Sequence, residues 1–109
     1  MNEEMKDAII RYIKELDIDA VGLWQIVPDQ KEFNLSDDDF KNYFYDVILS
    51  LMKNGAIPVK SPYISNWDEI TIYGNEPNDI ANNIIAMWVK NKQDKSIFSP
   101  QEGIWFKRP

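Results

Sequence analysis

The chain has 109 residues, of which 44% are apolar and 13% aromatic, and it contains no cysteine and no histidine. Its length fits a single domain over 1–109, and the aromatic side chains supply enough apolar surface for a core, which excludes a disordered binder. The lack of cysteine excludes a disulfide-stabilised secreted domain, and no apolar run is long enough to cross a membrane, so we expect a cytoplasmic protein.

The net charge is −6, and it is concentrated in the first half of the chain. Residues 1–50 hold twelve acidic and five basic side chains, whereas residues 51–109 hold six and seven. Direct nucleic-acid binding needs cationic groups against phosphates, so this distribution argues against it. A basic protein partner is favoured, with added solubility as the alternative role of the charge.

A first helix is predicted from Glu3 to Leu16. Acidic side chains occupy its first turns, where the helix dipole favours negative charge. Its apolar side chains recur at spacings of three and four, which places them on one face: Met5, Ala8, Ile9, Tyr12, Ile13 and Leu16.

The next segment, Asp19 to Val27, fits either a short helix or a strand. Leu23, Trp24 and Val27 share a helical face. We favour a helix that is capped by an aspartate and ended by Pro28.

The clearest element is a helix from about Asp37 to Asn54. The Ser36 hydroxyl is placed to cap it by accepting from the backbone N–H of Asp39. The Asn54-Gly55 pair supplies a left-handed stop. Its apolar stripe comprises Phe40, Phe44, Val47, Ile48 and Leu51, with Tyr43 beside it.

Beyond Gly55 the pattern predicts short strands and one more helix. Ala56–Lys60 and Ile70–Tyr73 are expected to pair as a β-hairpin with a long connection. Pro77 opens a helix that extends to about Asn91, with Lys90 and Lys92 at its end.

Ile104 to Phe106 is predicted as a terminal strand that joins the hairpin. The predicted fold is therefore α+β and predominantly helical, with three to four helices. Its sheet, a small antiparallel β-hairpin or three strands, is expected in the C-terminal half.

No catalytic residue, metal ligand or cofactor site is predicted. Without histidine and cysteine the chain lacks the commonest acid–base group, the thiol nucleophile and most zinc ligands. The four glycines form no phosphate-binding loop.

Asp37, Asp38 and Asp39 form the one dense run of carboxylates. Adjacent helical residues point about 100° apart, so the three cannot converge on one metal ion. They stabilise the start of a helix, form an acidic surface for a partner, or do both.

Tryptophans are the other candidates for partner contact, because tryptophan is enriched at binding hot spots. Trp24 and Trp88 lie on apolar faces and are predicted to be core residues. Trp67 stands among polar loop residues, where it is either packed or an exposed anchor. The predicted partner-binding residues are Asp29, Glu32, Asp37, Asp38, Asp39, Asp46, Trp67 and Asp68.

The order of the predicted elements, three helices and then a hairpin, resembles a winged helix. In that fold the third helix enters the DNA groove. Here that helix begins with three aspartates, the wrong charge for a DNA reader. The resemblance therefore implies an adaptor that binds a protein.

A second resemblance is to immunity proteins of bacterial contact-dependent growth inhibition, especially a DUF596-like group. It rests on three stretches: residues 40–44, residues 51–57 and Ile72-Tyr73-Gly74 before a helix ending in Ala86-Met87-Trp88. It departs at Pro58 and in the Ser61–Asn66 connection.

This resemblance implies an antidote that occludes the active site of one toxin domain. The implied partner is the C-terminal domain of a toxin, a basic nuclease such as a tRNA-cleaving ribonuclease. A translation elongation factor is an implied third member of the complex. Neither direct nucleic-acid binding nor membrane association is implied.

Overall fold

The computed structural model describes residues 2–90 and 99–109, which form four α-helices and three strands in the predicted α+β class. In chain order these are α1 Glu3–Ile18, β1 Ala20–Gly22, α2 Asp29–Glu32, α3 Asp37–Lys53, β2 Ile57–Lys60, α4 Pro77–Lys90 and β3 Ile104–Lys107. The expected positions of Asn91 and Lys92 at the end of the last helix lie outside the described residues.

Both long N-terminal helices begin where the sequence predicts, because a side chain caps each of them. The Asn2 side-chain oxygen accepts from the N–H of Met5 at 2.9 Å. The Ser36 hydroxyl accepts from the N–H of Asp39 at 3.1 Å, as expected. α3 ends at Lys53, and Gly55 follows with a φ of 94°, which confirms the left-handed stop.

The helix predicted over Asp19–Val27 is wrong. Val21 instead pairs with Phe106 in the sheet, and Leu23–Gln25 form a single 3₁₀ turn. The Gln25 side chain closes that turn by accepting from the N–H of Gly22 at 2.8 Å. Strand pairing with a distant part of the chain therefore overrides the local helical pattern.

The predicted hairpin is replaced by a three-stranded antiparallel sheet in the order β1-β3-β2. Two strands come from the C-terminal half, as expected, and β1 comes from the N-terminal half. Ile70–Tyr73 forms no strand: the N–H of Gly74 donates to the carbonyl of Thr71 in a turn, and Asn83 of α4 donates to the carbonyl of Tyr73.

What remains of the hairpin is one bridge, between Val59 and Glu69. The N–H of Lys60 donates to the carbonyl of Asp68 at 2.8 Å, and that of Ile70 donates to the carbonyl of Pro58 at 2.9 Å. These bonds close the outer edge of β2 against pairing with another chain.

Helices α1, α2 and α3 precede β2 and β3 in the chain, as the resemblance to a winged helix led us to expect. The difference is α4, which lies between β2 and β3 in sequence and packs against α3. Trp88 of α4 contacts Phe40 and Phe44, with ring centroids 5.2 and 6.4 Å apart. The Tyr45 hydroxyl donates to Asn78 at 2.7 Å, so α3 and α4 run antiparallel.

The core lies where α3 meets α1, α4 and the inner face of the sheet. Trp88 is buried there, as predicted. Trp24 is not a core residue, since 38% of it is exposed. Because β1 replaces the expected helix, Trp24 packs edge-on against Trp105, with ring centroids 6.4 Å apart.

Replacing Gly55 by alanine is expected to lower the free energy of unfolding by about 1 kcal/mol, because a side chain strains a backbone at positive φ. Urea unfolding measures the change. Lys53→Ala is the control, since Lys53 is exposed and ends the same helix. Equal stability of the two variants would contradict this account of the helix stop.

Candidate protein-binding surface

Asp29 joins three helices through one carboxylate oxygen. Tyr12 of α1 and Tyr43 of α3 each donate a hydroxyl to its Oδ2 at 2.6 Å. The carboxylate is half-buried, so these bonds form in a partly desolvated environment where charge-assisted hydrogen bonds are strong. Asp29, a predicted partner contact, thus has its oxygen engaged inside the fold and holds α2 against α1 and α3.

This node and a second contact fix the relative direction of α1 and α3. The Asp29 node joins them near their middles. Farther along, Arg108 forms an ion pair with Asp17 of α1 and donates to the carbonyl of Asn54 after α3 at 2.8 Å. The two helices therefore run in the same direction, and their N-terminal turns lie on the same side of the protein.

That side carries the acidic end of the molecule. Gln30 of α2 donates to Asp37 at 2.8 Å, which brings α2 to the start of α3. We define the acidic end by seven exposed carboxylates in the first turns of α1 and α3 and in α2: Glu3, Glu4, Asp7, Glu32, Asp37, Asp38 and Asp39.

Basic side chains offset only part of this charge. Lys6 lies 3.7 Å from Glu3, and Lys41 lies 3.2 Å from Asp38. Each pair joins exposed neighbours within a single helix, and an ion pair of this kind is weak. Even with Lys31 and Lys90 on the same side, and Arg11 close to the Asp29 node, the carboxylates are in excess.

The other predicted partner residues, Asp46, Trp67 and Asp68, are not among the seven carboxylates that define the acidic end. Asp46 sits within α3 and is half-buried. Burial raises the pKa of its carboxyl, and nearby positive charges, including that of Lys53, oppose that rise.

Trp67 packs on the outer face of the sheet. Its ring meets Trp105 edge-on at 5.8 Å, and the Lys107 ammonium lies 5.7 Å from its centroid. Because Lys107 adjoins Arg108, Trp67 is near the C-terminal ends of α1 and α3, away from the acidic end. Asp68 is exposed beside it, with its N–H bonded to the Ser65 hydroxyl at 3.2 Å.

Within residues 2–90 and 99–109, no cluster of three or more acidic side chains is placed to hold a metal ion. Burial and hydrogen bonding to Asp29 raise the pKa of the Tyr12 and Tyr43 hydroxyls well above the usual value. Neither phenol is therefore tuned for proton transfer near neutral pH.

Searches against protein-family models, curated proteins and solved structures find no match to this chain. None of the helices within the described residues has the length and apolar character needed to span a membrane.

Sequence reasoning missed two features of this surface. It noted Glu3, Glu4 and Asp7 as helix-start residues but did not group them with the aspartates of α3, because only the packing shows that the two helices run in the same direction. It also did not predict that two tyrosine hydroxyls donate to the same carboxylate oxygen of Asp29. The positions of those tyrosines on apolar faces gave the only signal.

Replacing Asp29 by alanine is expected to destabilise the protein by about 2 kcal/mol, since two buried hydroxyls lose a charged acceptor. Glu32→Ala, in the same short helix but exposed, is the control and should change stability by less than about 0.5 kcal/mol. Chemical unfolding compares them. An Asp29 variant as stable as the Glu32 variant would rule out the node.

Stability should also fall as the pH rises above 10. Burial raises the pKa of Tyr12, Tyr43 and Tyr73 in the folded protein. Above pH 10 the unfolded protein therefore releases protons from these hydroxyls that the folded protein keeps. Each phenol then lowers the free energy of unfolding by about 1.4 kcal/mol per pH unit. A pH titration of tyrosinate absorbance, with and without denaturant, measures the ionisation of the tyrosines in the unfolded and folded protein. Full ionisation of all five tyrosines in the folded protein near pH 10 would contradict it.

Proposed function

We propose that this protein is an immunity protein that binds a basic toxin domain and occludes its active site. The observation that supports the proposal is the acidic end, where the first turns of α1 and α3 and the exposed side of α2 present carboxylates on one side. The proposal places the protein in the cytoplasm and assigns it no catalytic activity and no cofactor.

A nuclease is the toxin that this charge suits best. A nuclease must hold phosphates in a cationic groove, and clustered carboxylates present the same sign of charge as that substrate. Complementary charge also accelerates encounter, to about 10⁸ M⁻¹s⁻¹ or more at low salt. A tRNA-cleaving ribonuclease, with a translation elongation factor in a ternary complex, falls within the proposal.

Direct nucleic-acid binding is not proposed, although the chain follows the winged-helix order. The third helix of that order begins with Asp37, Asp38 and Asp39, which repel phosphates. α4 also packs along it through Trp88, leaving less of its surface free to enter a groove.

The same topology favours a second candidate, an acidic adaptor built on a winged-helix-like core that binds a protein in a housekeeping assembly. The two candidates differ in their partner. An adaptor is expected to co-purify with a cellular complex, whereas an immunity protein is expected to bind a toxin encoded beside it.

The decisive test asks whether the gene directly upstream of this one encodes a large secreted protein, whose C-terminal domain is here called the toxin domain. Expression of that domain alone should stop growth, and co-expression of this chain should restore it. Absence of such a gene, or continued growth arrest, would count against immunity and leave the adaptor.

Neutralising the three aspartates tests the acidic end. Asp37→Asn, Asp38→Asn and Asp39→Asn together should slow association with the toxin domain about tenfold at low salt and weaken its salt dependence. Stopped-flow kinetics measures both quantities.

The matched control neutralises three exposed carboxylates outside the acidic end, by Asp19→Asn, Glu76→Gln and Asp79→Asn. It removes the same charge and also alters a helix start, that of α4. Equal slowing by both triple variants would show that net charge, and not the acidic end, guides association.

A further inference from the structure

The segment between β2 and α4 exposes large apolar side chains. Ile72 is 81% exposed, Tyr63 70% and Ile64 58%. Single exposed apolar residues are common on protein surfaces, but a group of them on one short segment marks an interaction site.

These side chains are exposed although the backbone that carries them is firmly held. Ser61 is fully buried; its hydroxyl donates to the carbonyl of Pro100 at 2.9 Å and accepts from the N–H of Tyr63 at 3.2 Å. The N–H of Ile64 donates to the carbonyl of Ser61 at 3.1 Å. These bonds fix the backbone at Tyr63 and Ile64 in advance, which lowers the entropy cost of binding there.

Ile64 and Ile72 border one groove of about 310 Å³, which we call the Ile64–Ile72 groove. Ile70, Tyr73 and Ile104 line its more buried part. Its size suits one or two inserted side chains. It is therefore a pocket for an anchoring residue rather than a channel for a chain.

The charges around the groove are mainly negative. Glu102 and Lys60 line it, and both are exposed. Asp68 is exposed opposite Lys60, whose N–H bonds to the carbonyl of Asp68. With two carboxylates to one ammonium group, this rim complements a positively charged partner.

We infer that the Ile64–Ile72 groove anchors the toxin domain, by taking an apolar side chain that basic residues flank. The inference rests on the proposed function and adds to it a division of labour. The acidic end guides encounter, and the groove sets the lifetime of the complex, because desolvated apolar anchors dominate dissociation.

The test compares Ile64→Ser and Ile72→Ser with Ile18→Ser in binding to the toxin domain. Ile18 is 85% exposed at the end of α1, so the Ile18→Ser control removes a similarly exposed apolar side chain that lies outside the groove. The two groove variants should each raise the dissociation rate about tenfold or more, with association unchanged. The Ile18 variant should bind as the unaltered chain does.

Thermal unfolding shows whether each variant folds, and substitutions at such exposed positions should leave the midpoint nearly unchanged. Unchanged dissociation from both groove variants would overturn the anchor while leaving the proposed function intact, provided that the unaltered chain binds. A failure of the unaltered chain to bind the toxin domain would remove both.

Discussion

The structure depends on the way in which α3 is enclosed. Six of its side chains are buried, α1 and α4 pack on it, and the Asp29 carboxylate ties it to α1 through two hydroxyls. This enclosure aligns α1 with α3, so that both helices begin on the same side of the protein. Carboxylates that are useful to each helix separately then add up to one acidic surface.

That constraint also separates this chain from DNA-binding winged helices. Three helices precede β2 and β3, as expected, but the helix that would enter the groove begins with aspartates and packs against α4. A surface of this kind suits a basic protein better than a nucleic acid. In the proposed complex its charge would speed encounter, and the exposed isoleucines near β2 would supply the apolar contacts that a lasting complex needs.

Local signals predicted most of the helices and singled out the aspartates at the start of α3 as candidates for partner binding. Ser36, Gly55 and Pro77 mark helix boundaries by short-range chemistry, so α3 and α4 were predictable. β1 was not, because Val21 becomes a strand residue only by pairing with Phe106, 85 positions away. Ile70–Tyr73 was also mispredicted because its structure depends on a contact with another element, between Tyr73 and Asn83 of α4. The grouping of Glu3 with Asp37 likewise depends on helix packing, which no local pattern encodes.

The central claim is that the acidic end meets a positively charged protein. Nuclear magnetic resonance of the isotopically labelled chain, titrated with the toxin domain, tests it residue by residue. The account predicts that amide signals at the starts of α1 and α3 and in α2 shift most, and that added salt reverses the shifts. Shifts confined to the outer face of the sheet around Trp67 and Trp105, and insensitive to salt, would contradict it.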